Sequence, residues 1–259
     1  EFSFFVANAV KILKRLFFVG FEVGLIFTMY IWFRARKINN RFLNFIDIKE
    51  QLPLLNALSA DTTVNKYATH LIYLTKANNG KQIEEKIIYS IMSRRPKRAD
   101  TYWFVHIERT DEPYTMEYSV DQIEPGKVIR IEYRLGFRIQ PRVNVLFRNV
   151  VEDMVKRQEI DITSQYASLN KYKIAADFRF VIMEKFLSYN NLFSMSEGFI
   201  LNSYFAIKKL AQSEAKAFGL DTSETRIEKI PLVVKPVSNL HLKRVEPVTY
   251  GASSLVEVE

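Results

Sequence analysis

The sequence predicts an α/β fold in which a mixed β-sheet with flanking helices follows a membrane-spanning helix, and three observations carry that expectation. An apolar run fills residues 16–33, the chain after Arg41 alternates between strand-like and helix-like hydrophobic periods, and the composition supports a packed core. Of 259 residues, 48% are hydrophobic, 14% aromatic and 25% charged, which excludes a disordered or collagen-like chain. The same composition narrows function. Without cysteine there is no thiolate metal site, no disulfide framework and no cysteine nucleophile. His70, His106 and His241 are too widely spaced for a local metal-binding pair, and the eight glycines form neither a phosphate-cradling motif nor a nucleophile elbow.

The first element is Leu16 to Phe33, LFFVGFEVGLIFTMYIWF, about 18 residues that as a helix extend roughly 27 Å, enough to cross a bilayer. Arg34, Arg36, Lys37 and Arg41 follow it directly, which suits a stop-transfer segment better than a cleaved leader. Tyr30 and Trp32 sit where aromatic rings favour the headgroup level, and the cations behind them favour the cytoplasmic side. Lys11, Lys14 and Arg15 at the other end make that preference small. Gly20 and Gly24 form a G-x-x-x-G that either allows close helix packing or is chance in an apolar segment. Glu22 places a carboxyl group at membrane depth, read either as part of an ion or proton path or as a residue that snorkels or is protonated, the second being favoured. The apolar patch from Phe2 to Val10 starts abruptly, so the chain reads as a fragment. The expected organisation is a membrane region over 1–41, a linker over 42–66, an α/β domain over 67–234 and a tail over 235–259.

Within the domain, Ala68 to Thr75 reads as a strand, the loop Lys76-Ala77-Asn78-Asn79-Gly80 follows, and Ile83, Ile87, Ile88 and Ile91 recur at helical spacing. Tyr102 to Ile107 is apolar apart from His106, as in a central strand covered on both faces, so His106 reads as a core histidine. Met116, Tyr118 and Val120 alternate with polar residues, and after the Pro125-Gly126 turn Ile129, Ile131, Tyr133 and Leu135 alternate with Arg130, Glu132 and Arg134. Behind Pro141, Val143 to Met154 keeps the 3.6-residue period of a helix. Phe178 to Leu187 reads as a strand, Ser196 to Phe218 as one helix stopped by Gly219, and Ile227 to Val234 as a last strand.

Few residues advertise chemistry. The run from Arg94 to Arg98 could meet phosphate, but cations at a helix C-terminus are favoured by the dipole, so a solvated loop is the plainer reading. Asp111, Glu112, Glu117 and Asp121 cluster on one turn and one strand face rather than converging from separate elements as paired-acid catalysis requires. The loop of Lys76, Asn78 and Asn79 lies behind a strand, where α/β sheets tend to bind ligands, and is the expected regulatory-ligand site. A net charge of +8 is half accounted for by the first fifty residues, around the apolar span, so nucleic acid is not an expected partner.

Several ordered blocks resemble the Kup/HAK/KT family of potassium uptake transporters, bacterial Kup type, over its last membrane span and C-terminal cytosolic domain. They are Lys66 to Tyr73, Arg95 to His106, Asp111 to Tyr118, Arg134 to Arg138, Asp177 to Val181, Glu184 to Tyr189 and Ala217 to Asp221. The resemblance implies potassium transport, together with protons, across the cytoplasmic membrane through a helical core that lies upstream. It also places residues after Arg34 in the cytoplasm. No metal or potassium ligand is expected in this chain, since the family's ion-binding residues belong to earlier helices. The expected partners are the lipid bilayer, the rest of the transporter core, a second copy in a homodimer and a cyclic dinucleotide regulator; neither a cofactor nor enzymatic activity is expected. The alternative class is a single-pass, membrane-anchored α/β domain that binds a nucleotide or acts as an enzyme.

Overall fold

The computed structural model describes residues 2–93, 95–164, 166–172, 175–187, 193–211, 213–220 and 224–232, with side chains from Arg15 onward. The side chains of Lys11 and Lys14, Arg94, Ser188 and Tyr189, Asp221, the strand end at 233–234 and the tail at 235–259 lie outside the described residues.

One helix, α1 (Phe2–Arg41), takes in the whole apolar run, and its stretch Arg15–Arg41 is long and apolar enough to cross a membrane. Phe17, Phe18, Ile26 and Phe33 are all more than 60% exposed, as lipid-facing side chains are. Nothing surrounds Gly20 or Gly24, and Glu22 is likewise exposed along this helix. Beyond the span, β1 (Phe45–Asp47) pairs antiparallel with β3 (Gln82–Glu84), and α2 (Ile48–Ala60) starts at Asp47, whose carboxylate accepts the Lys49 amide at 2.8 Å. The stretch 42–66 is therefore not a linker: Ile48, Leu55 and Leu58 of α2 are buried in the core.

The main sheet has six strands in the order β5-β6-β4-β2-β7-β8. They are β2 (Lys66–Thr75), β4 (Arg98–Thr110), β5 (Met116–Glu124), β6 (Val128–Gly136), β7 (Phe178–Phe186) and β8 (Thr225–Pro231). Five run parallel and β5 alone pairs antiparallel, as a hairpin with β6, so the sheet is mixed as expected. Period-2 alternation divides it into two apolar faces. Leu71, Tyr73, Tyr102, Phe104 and Val181 pack on α2 and α3 (Glu85–Ser93), while Ile72, Trp103, Ile129, Ile131 and Phe180 pack on α4 (Val143–Lys156).

After α4 come the short α5 (Ala167–Asn170) and, behind β7, α6 (Met195–Leu210) and α7 (Glu214–Ala217). The helix expected over 196–218 is thus two. Ala211 leaves helical geometry, and the Ser213 hydroxyl caps α7 by accepting the Lys216 amide, a local bond that competes with helix continuation. Gly219, at φ +63°, follows as expected. Against α1, α6 buries a third cluster of Ala35, Ile38, Ile200, Leu201 and Leu232.

A cationic crevice at the sheet's switch point

The chain leaves β2 through α3 and moves toward β4 and β6, whereas from β7 it moves the other way to β8 through α6 and α7. Right-handed crossovers in opposite directions put their helices on opposite faces, so the carboxyl ends of the adjacent strands β2 and β7 part to leave a crevice. That crevice has an inner lobe of 430 Å³ and an outer lobe of 710 Å³ that share Arg36, Leu43, Lys76, Asn78, Met183, Lys185 and Glu214.

The floor is tightly fixed. Glu84, 4% exposed, accepts the Thr75 hydroxyl at 2.7 Å and the Lys76 amide at 2.9 Å, which ties the end of β2 to β3. Buried His106 donates from Nδ1 to the Thr75 carbonyl at 3.1 Å. Below the loop, Arg130 is 1% exposed and donates to the carbonyls of Ala77 at 2.7 Å and Gln82 at 2.8 Å and to the Glu132 carboxylate at 2.9 Å. Arg130, expected on the polar face of its strand, is instead the buried clamp of the loop.

Of the expected ligand-loop residues, Lys76 and Asn78 line both lobes and Asn79 lines neither. Asn79 is turned into the loop itself, where its side-chain oxygen accepts the Lys81 amide at 3.1 Å. The cationic partners come from elsewhere: Arg36 from α1, Lys86 from α3, Lys185 from β7 and Lys208 from α6. Burial, with Lys76 and Lys86 nearby, lowers the Lys185 ammonium to about 8 against the opposing pull of Glu84 and Glu214. Burial also lowers Lys86, whose Nζ donates to the Leu232 carbonyl at 2.5 Å. For Lys208 burial alone would lower the pKa, but the 2.6 Å contact with Glu214 outweighs it and the net shift is upward. Such a group of donors has the chemistry to hold an anion.

Two of the described residues of the basic run ahead of β4 are turned inward. Lys97 is buried and pairs with Glu228 at 3.0 Å, and Arg98 donates to the carbonyls of Ser59 at 3.0 Å and Val64 at 3.3 Å behind α2. Glu117 is held by Arg134 at 3.0 Å and Glu112 by the Thr115 hydroxyl at 2.9 Å, and neither faces the crevice.

The family model described as the K+ potassium transporter C-terminal domain matches residues 68–242. Curated relatives named as probable potassium transport system protein Kup include those of Cytophaga hutchinsonii, 50% identical over 95% of this chain, and Flavobacterium johnsoniae, 48% identical over 95%. The Clostridium perfringens protein is 37% identical over 95%. This chain spans 38%, 37% and 37% of the length of those three proteins. No solved structure matches. With more than half of its length in the family's C-terminal domain and a membrane-length helix running straight into it, the chain belongs to the Kup family of potassium transporters, of which it is the C-terminal part.

Proposed function

We propose that this chain is the last span and regulatory domain of a potassium uptake transporter that moves potassium together with protons across the cytoplasmic membrane. The observation that supports this reading is that α1 runs without a break from its exposed apolar surface into the α6 contact, which would couple a last span mechanically to the α/β domain. Arg34, Arg36, Lys37 and Arg41 behind Trp32 support a cytoplasmic position for everything after Arg34. The domain contributes no chemistry of its own. It dimerises with a second copy, and a regulator, a cyclic dinucleotide in the family's manner, shifts the transport cycle by binding one conformation better than another.

The test is potassium uptake by the whole native protein in cells that lack other uptake systems, with and without the residues after Arg41. The expected result is growth at low potassium that depends on the protein and is altered in rate by loss of the domain. A whole protein that accumulates in the membrane and supports no potassium uptake refutes the transport reading. Native size separates the alternative, since an anchored single-pass domain runs in the membrane fraction at 30.4 kDa and a transporter runs far above it.

A further inference from the structure

The position of the crevice along the membrane normal follows from how α6 lies on α1. Phe193 meets Phe42 with ring centroids 5.7 Å apart, Glu197 pairs with Arg41, and Tyr204 meets Trp32 at 5.1 Å. As α6 advances it therefore travels back down α1 toward the bilayer. From Tyr204 to Leu210 it gains about 9 Å more, ending with Lys208, Lys209 and a Leu210 that is 90% exposed. Trp32 closes the apolar span and lines the outer lobe together with Tyr204, Phe205 and Lys208. The mouth of the crevice thus stands at headgroup level, with Trp32, Tyr204, Phe205 and Lys208 on its membrane side and Lys76 and Lys185 on its sheet side.

Its charges are unequally committed. Lys208 is paired with Glu214, Lys86 with a carbonyl, and Glu84 with Thr75 and the Lys76 amide. Among the described residues, Arg36, Lys76 and Lys185 make no direct ion pair, and Glu84 and Glu214 act on Lys185 only from a distance. Three uncommitted cations from α1, the β2 loop and β7 converge on a cavity that opens beside lipid.

We propose that this crevice takes the phosphodiester headgroup of an anionic phospholipid, held by Arg36, Lys76 and Lys185, with the acyl chains leaving along Trp32, Tyr204 and Leu210. The proposal rests on reading α1 as a membrane span. A soluble cyclic dinucleotide offers the same phosphodiester, but the exposed apolar flank beside Trp32 faces the bilayer and matches acyl chains. Lys185 adds a pH signature. Lys76, Lys86, Glu84 and Glu214 face it, and its ammonium persists only up to about pH 8 without a bound anion. A bound phosphate favours the charged form, so headgroup binding weakens as pH rises above about 8.

The experiment uses the whole native protein in neutral detergent, titrated with dioctanoyl phosphatidylglycerol, dioctanoyl phosphatidylcholine or a cyclic dinucleotide, and reads amide-exchange protection of segments 74–79 and 183–187. Phosphatidylglycerol is expected to protect at a concentration about tenfold below phosphatidylcholine at pH 7, with a smaller advantage at pH 9.5. The Lys76→Gln/Lys185→Gln variant is expected to lose that advantage while keeping its thermal midpoint, and Arg36→Gln, on a separate element, to reduce it. Equal protection by the two lipids, or an advantage that survives in both variants, overturns the proposal. Protection by the dinucleotide at a lower concentration than phosphatidylglycerol assigns the crevice to a soluble phosphodiester and overturns it too. Carbonate extraction keeps the two readings apart: protein released from membranes has no span and sinks the transporter reading, whereas protein retained without headgroup preference sinks the lipid site alone.

Discussion

Replacing Arg130 by Met tests whether one buried cation holds the crevice loop. The guanidinium is 1% exposed and makes two charged hydrogen bonds to carbonyls that also lie beneath the loop, at Ala77 and Gln82, and a third to Glu132. Glu132 is 35% exposed at its side chain and regains water when its partner goes, so little is lost there. The two carbonyls do not regain it. At about 1.5–3 kcal/mol for each bond from a charged donor, the variant loses about 3–6 kcal/mol, close to the range for breaking a buried charged contact. For a domain of this size that lowers the thermal midpoint by roughly 6–24 °C. The assay is differential scanning of the purified whole protein with amide exchange read across residues 76–82. Exchange there should accelerate before the centre of β4 opens, because the clamp bonds run from the Arg130 side chain to the loop while its backbone keeps its register opposite Phe104. Arg130→Lys, which keeps the charge but loses the fork, should fall between the two. A midpoint shift below about 2 °C, or a shift with unchanged exchange at 76–82, would refute the clamp.

Other perturbations report on other parts of the fold. A Cβ at Gly136 would stand 2.5 Å from the carbonyl oxygens of Glu112 and Pro113, so Gly136→Ala should cost about 1–3 kcal/mol in chemical denaturation, and a neutral result would show that the 112–113 turn yields freely. Burial lowers His70 from 6.5 to about 4, so the unfolded chain binds its proton first as pH falls; stability present above pH 6.5 should drop by about 3 kcal/mol toward pH 4. His70→Gln keeps an acceptor for the Trp103 indole, which donates to His70 Nδ1 at 3.3 Å, and should flatten that acid limb. Leu201, fully buried between α6 and α1, should cost about 2–5 kcal/mol as Leu201→Ala, seen as faster amide exchange in α6 with β4 unchanged.

What the sequence made legible follows from what periodicity can encode. The strand from Ala68, the central strand around Trp103 and the helix from Val143 carry their burial in their own spacing, and each appears where the pattern places it. Residues 42–66 escaped because Pro53 interrupts a short apolar pattern, although Asp47 ahead of Ile48 was a capping signal in plain view. Arg130 escaped for the opposite reason. Period-2 alternation puts it on the polar face of β6, and only the loop that folds back over that face buries it. Of the crevice, the strand-end rule reaches Lys76 and Asn78, but Arg36, Lys185 and Lys208 come from elements far apart in sequence, and their convergence is a property of topology alone.

On the proposed function, the same topology gives binding in the crevice a route into the membrane. Arg36 lies one residue from Ala35, which α6 buries completely, and four from Trp32, which meets Tyr204; Lys76 and Lys185 terminate strands locked in register across the sheet. An anion bridging Arg36 to Lys76 and Lys185 therefore fixes the rotation of α1 about its axis relative to the sheet, because the apolar seam of Ala35, Ile38, Ile200 and Leu201 resists sliding while the charged contact resists turning. A ligand there, on the proposed function, shifts the domain's conformational populations by its differential affinity and no more, which bounds any regulation by the strength of the three-cation contact. On the proposed function, that is the physical route by which a chemically inert domain alters ion movement through helices it does not itself contain.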